Sequence, residues 1–141
     1  MSSKNTKWLQ NKAVGILTLE GATNDDLGLA AKGKSRAGGS TEMVIVDNTH
    51  PITSSFSLGS LTVTTSDKHL GMMKGWSNDV TLLGHYDGSP NKAKLLVIDV
   101  GQTQSNVNTA ADKRVFYGVQ FFNHLTVDGK TLFDNALAWV S

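Results

Sequence analysis

The sequence predicts a small α/β protein, a sheet of about five to seven strands closed by an amphipathic C-terminal helix. Three observations carry that prediction. Short runs of β-branched and aromatic residues recur between Gly-, Asn- and Pro-bearing turns. The apolar period then changes near residue 130, where Leu132, Phe133, Ala136, Leu137 and Val140 fall at helical spacing and Trp139 widens the stripe. Finally, 141 residues suit one domain with an ordinary core, and no internal repeat or linker divides them.

Residues 1–12 read as an N-terminal arm or short helix carrying Trp8 and Leu9, and residues 13–141 as the core. Ala13 to Leu19 is a nearly unbroken apolar run, which suits a strand covered on both faces. Asn24 to Leu27 has the chemistry of a capped helical turn, and Lys32 to Ser40 is rich enough in Gly to be a loop. Met43 to Val46 predicts a second strand, stopped by Asp47 to Pro51. There proline restricts the residue before it, so His50 and Pro51 belong to an extended turn. Leu61 to Thr65 alternates as a half-exposed strand does. Val80 to Leu83 and Lys94 to Asp99 are the next strands, joined through a turn or hairpin over His85 to Asn91. Arg114 to Val119 is a strong strand, and Thr126 or Asp128 is placed to cap the closing helix.

Composition removes several function classes. Apolar residues make up 39% and charged residues only 18%, the balance going into Gly, Ser, Thr and Asn. A polar, weakly charged surface of that kind suits an extracellular or virion-surface protein. With a net charge of +1 and Lys32, Lys34 and Arg36 as the densest basic stretch, there is no continuous positive field for nucleic acid. The absence of Cys excludes disulfides, thiolate metal sites and thiol nucleophiles. No signal peptide is visible behind Met1, and no run approaches the roughly 20 apolar residues of a membrane span, so membrane insertion is not expected.

Several motifs together resemble a known family. Arg114-Val-Phe-Tyr117 is followed by Leu125-Thr-Val-Asp-Gly-Lys-Thr-Leu-Phe-Asp-Asn-Ala-Leu-Ala-Trp139, with His50-Pro-Ile52 and Asp25-Asp-Leu-Gly-Leu29 upstream. In this order they are similar to the later part of class I glutamine amidotransferase-like domains of the trehalose-utilisation (ThuA-like) type, found in bacterial surface and secreted proteins. The resemblance implies a reduced flavodoxin-like sheet, since the family's opening βαβ units have no room here. It places His124 near the family's His after the R-V-F-Y strand, as a vestige, because the catalytic Cys of that family has no counterpart in this chain. The resemblance therefore implies a fold and no enzyme activity.

Other constellations are weak. Gly38-Gly-Ser40 and Leu58-Gly-Ser60 lack the second glycine of a serine-hydrolase elbow. The histidines at 50, 69, 85 and 124 show no metal-ligand spacing, although His85 and Asp87 could share a face of an extended segment; no metal or other cofactor is expected. Glu20 and Glu42 are the only glutamates, and nothing selects a catalytic carboxylate pair. Trp76 and Tyr86 lie outside the clearest core periods and could form a sugar-stacking platform. The expected function is thus a non-catalytic structural or interaction domain of a surface assembly, such as a phage capsid decoration protein or an extracellular complex. A carbohydrate-binding module and a degenerate hydrolase are the alternatives. Because a truncated sheet leaves an edge and a face uncovered, protein partners or self-association are expected.

Overall fold

The computed structural model describes residues 7–30, 32–34, 40–68, 70–77, 79–105 and 108–141. Among the described residues eight strands form one mixed sheet: β1 (Ile16–Thr18), β2 (Lys32–Lys34), β3 (Glu42–Ile45), β4 (Gly59–Thr62), β5 (Met72–Lys74), β6 (Thr81–Tyr86), β7 (Ser89–Ile98) and β8 (Arg114–Tyr117). The main order is β1-β8-β7-β6-β3-β4, with β5 paired to β7 and β2 paired to β5. Only β1 and β8 run parallel; the other pairings are antiparallel. One α-helix, α1 (Val127–Val140), closes the chain. This is the expected α/β class, a reduced flavodoxin-like sheet under a C-terminal helix.

Both faces of the central strands find cover. Leu95, Val97, Val115 and Tyr117 point to α1, where they meet Leu132 and Ala136. Their neighbours Leu96, Ile98 and Phe116 point to the other face, against Leu27, Leu29, Ala30, Val80 and Ala110. The period of two thus splits the core into a helix-covered and a loop-covered half. The chain itself covers the face expected to be bare, because Leu27 to Ala30 folds down on it. That segment is not a capped helix beginning at Asn24. Glu20 caps a 3-10 turn over Gly21–Thr23, and irregular turns follow, with Leu27 N–H donating to Thr23 O (3.1 Å) and Gly28 N–H to Asp25 O (3.2 Å).

Two further expectations are corrected. Lys32 to Lys34, read as loop, is a strand antiparallel to β5. Such a segment has no apolar alternation to announce it; the backbone groups on the edge of β5 recruit it. Arg36, Gly38 and Gly39 of the same Gly-rich stretch lie outside the described residues, as does His69. Leu137 is 48% exposed and stands off the helix stripe, which runs through Gly129, Leu132 and Ala136 with Phe133, Trp139 and Val140 half-buried. The connection over His85 to Asn91 narrows to a two-residue Asp87-Gly88 turn, where Gly88 takes the left-handed φ of +70°.

The helix is seated at its first turn. Thr126 is the cap: its Oγ1 accepts from Gly129 N–H (3.0 Å) and donates to Thr62 O (2.8 Å). Gly129 lies flat against the Val63 carbonyl, where a Cβ would collide with backbone, and its own carbonyl accepts from the Tyr117 hydroxyl (3.2 Å).

Candidate functional site

The sheet ends at β1, and among the described residues no strand pairs with the outer side of β1. Ile16 N–H donates to Lys113 O (3.0 Å), and the register sets Ile16, Leu17 and Thr18 against Arg114, Val115 and Phe116. In a parallel ladder alternate residues bond to the same neighbour, so Ile16 and Thr18 face β8. The Leu17 N–H and C=O face away from the sheet. A cleft of about 240 Å³ runs along this edge, walled by Leu9, Ile16, Leu17, Leu19 and Leu27, with Thr18, Glu20 and Thr23 supplying its polar atoms.

Largely shielded hydrogen bonds hold both walls. The Arg114 side chain is fully buried at the start of β8 and meets carbonyls instead of a carboxylate. Nη1 donates to Val14 O (2.6 Å) and Lys113 O (3.1 Å), and Nη2 to Lys12 O (2.7 Å) and Gln10 O (3.5 Å). Burial lowers its pKa, opposed by nearby Asp112. The chain from Gln10 to Val14 is therefore wrapped on one guanidinium, which sets Leu9 against the cleft, and Gln10 Nε2 ties it to Asp26 O (3.0 Å). On the other wall Glu20 Oε1 accepts from Ala22 N–H (3.2 Å), and Gln120 Nε2 donates to both Glu20 oxygens (3.1 Å each). The Thr18 and Thr23 hydroxyls bond at 3.0 Å. Among the described residues no Lys, Arg or His pairs with the Glu20 carboxylate. A fixed, half-buried carboxylate thus stands at the end of an apolar cleft with amide donors alone.

The residues predicted from sequence fall elsewhere and do not converge. His50 and Pro51 lie in the turns after β3. His50 Nδ1 accepts from Ile52 N–H (3.2 Å), and its ring meets the Trp139 ring edge-on at 4.8 Å. Partial burial lowers the His50 pKa against the pull of Asp47 and Asp99. Lys113 Nζ covers the other part of this junction, 5.1 Å from the Trp139 ring centre and donating to Trp139 O (3.1 Å). The Asp47 carboxyl is held below its ordinary pKa by the hydroxyl and N–H of Thr49 (2.6 and 2.8 Å). His50 therefore pins a turn to the end of α1.

Tyr86 is no sugar platform. It is 3% exposed, donates to Gly71 O (2.7 Å), and burial raises its pKa. Strand β6 is bulged, so its side chains do not follow a clean alternation that would have marked Tyr86 as inward. Trp76 is half-buried against the loop-side core. His85 Nδ1 is 2.7 Å from Tyr86 O, while Asp87 is exposed in the hairpin turn. His124 lies on the 3-10 turn Phe122–His124, its Nδ1 buried without a hydrogen-bond partner and its ring 5.7 Å from Phe121. Its carbonyl accepts from Thr65 N–H (2.7 Å) and Thr65 Oγ1 (3.2 Å). No group of three or more His, Cys, Asp or Glu among the described residues is arranged to hold a metal ion, and no helix among them is long and apolar enough to cross a membrane.

Sequence reasoning missed the edge cleft, Arg114 and Lys94. Lys94 is fully buried on β7, donating to Ser40 O (3.0 Å) and Glu42 O (3.3 Å) with Nζ 4.8 Å from the Tyr86 ring centre. Burial pulls its pKa down to about 7. The Lys inside an otherwise apolar Ala-Lys-Leu-Leu-Val-Ile run was the available signal.

No family model, curated protein or solved structure matches the chain.

Proposed function

We propose that this protein is a non-catalytic interaction domain that works by contact within a surface assembly, of the kind formed by phage capsid decoration proteins or extracellular complexes. One observation supports this above the others: a sheet edge unpaired among the described residues lies beside an apolar cleft, and both walls are fixed by partly buried hydrogen bonds. A strand with free N–H and C=O groups beside an apolar groove is the physical requirement for adding a strand from another chain. Several polar side chains that could do chemistry are occupied in holding the fold: Arg114 and Lys94 on carbonyls, His50 on a turn and Glu20 on a cap. The low surface charge and the likeness to a scaffold that has lost its nucleophilic Cys agree with this reading.

The test is sedimentation of the purified protein with particles prepared from its own source. Recovery in the particle pellet is expected. Protein that stays wholly in the supernatant overturns the reading, as does a hydrolytic turnover that stops in His124→Ala.

A further inference from the structure

We infer that the partner at the β1 edge is a second copy of this chain, bound about a two-fold axis through Leu17 so that the two β1 strands pair antiparallel. This rests on the contact-making reading above and names its partner.

The backbone geometry comes first. A two-fold antiparallel pair needs a central residue whose N–H and C=O both leave the strand on the open side, because that residue exchanges two hydrogen bonds with its own copy. Leu17 meets the requirement, since Ile16 and Thr18 spend their groups on β8. The pairing would run one sheet through both chains and remove an open edge from each.

Charge and apolar surface then fix the occupant. With Leu17 opposite Leu17, the segment just before β1 in one copy falls opposite the segment just after β1 in the other. Lys12 to Val14 therefore reaches Glu20 of the second copy. Glu20 has no cationic partner among the described residues, and the Lys12 side chain is exposed with no carboxylate on it. Val14 is 50% exposed, and the pairing sets it at the mouth of the second copy's cleft. The exposed Val14 thus gains cover, and two charges with no opposite charge on them among the described residues meet.

Sedimentation velocity and cross-linking of the intact chain test this, at concentrations up to about 0.1 mM. The wild type is expected to sediment as a dimer. Leu17→Pro removes the outward N–H from the ladder, a change that edge strands tolerate, together with the Leu17 side chain that packs on the helix-covered core and lines the cleft. Lys12→Glu alters an exposed side chain and leaves the Arg114 contacts, which are to backbone, in place. Each is expected to raise the dimer dissociation constant by roughly tenfold or more. Lys12→Glu combined with Glu20→Lys is expected to restore much of the loss, which a merely destabilised fold would not do. Should Leu17→Pro fail to fold by circular dichroism, the charge pair decides alone.

A wild type that stays a single chain throughout overturns the proposal. So does a dimer indifferent to Lys12→Glu, and so does an unrelated extended peptide that occupies the cleft of a monomeric protein. If the dimer fails while the protein still pellets with its particle, only the β1 pairing falls. If the dimer forms and pelleting fails, the assembly reading falls instead.

Discussion

At residue scale the buried cations show how this fold uses charge without counter-charge. Lys94 and Arg114 are both fully buried, and each is met by backbone carbonyls. Carbonyl dipoles compensate a buried cation less completely than a carboxylate does, so the Lys94 proton is held weakly, with a pKa near 7 against an ordinary 10.5. The unfolded chain therefore binds the proton more tightly than the folded one between those values, and stability rises with pH across that window. From about pH 7 to about pH 10 the gain is on the order of 4 kcal/mol, and urea melts across that range read it directly. Burial raises the Tyr86 and Tyr117 pKa values, so those groups oppose unfolding less above their ordinary value near 10, and the curve turns over there. In Lys94→Met the rise should vanish and neutral-pH stability should increase; a wild-type curve flat from neutral to alkaline pH would contradict this account. Arg114→Met is expected to cost about 3 kcal/mol, because four carbonyls lose their donor, and to speed amide exchange across the arm at Gln10 to Val14.

At the scale of elements, the helix and the edge strand are fixed by single contacts. Gly129→Ala places a methyl against the Val63 carbonyl in the first turn of α1. Because backbone must move, the change should lower stability by about 1–3 kcal/mol despite alanine's better helix propensity. Thr126→Ala removes the cap on Gly129 and the bond to Thr62, at a cost of about 1 kcal/mol. Thermal melts of both variants decide whether the helix start is seated as described. These elements were readable from the sequence to different degrees. The closing helix and the strands over 43–46, 94–99 and 114–119 carry strong periods and appear nearly where expected. Strands β2 and β5 do not, because three-residue pieces with Gly and Lys form only when a neighbouring edge completes them. The aromatic Tyr86, taken for a surface ring, is inward because the β6 bulges reset its facing. The arm's path could not be read at all: it depends on Arg114, roughly a hundred residues away in sequence.

For the whole molecule, the balance of covered and uncovered surface matters most. The chain covers both faces of its sheet, one with α1 and one with residues 20–30 and the loops near 80 and 110. Among the described residues nothing pairs the β1 edge, which lies beside a cleft that the arm and the Glu20 cap keep in shape. A candidate site of this kind is invisible in sequence, because an edge exists only once the strand order is known, and β1 is the first strand in the chain yet pairs with the last. The contact proposed for this protein is made at that edge. Amide exchange at Leu17, followed as chain concentration is raised, tests it most directly. Exchange at Leu17 should slow steeply as chains associate, while exchange at Ile16 and Thr18, already bonded to β8, stays unchanged; a Leu17 rate independent of concentration would contradict the claim.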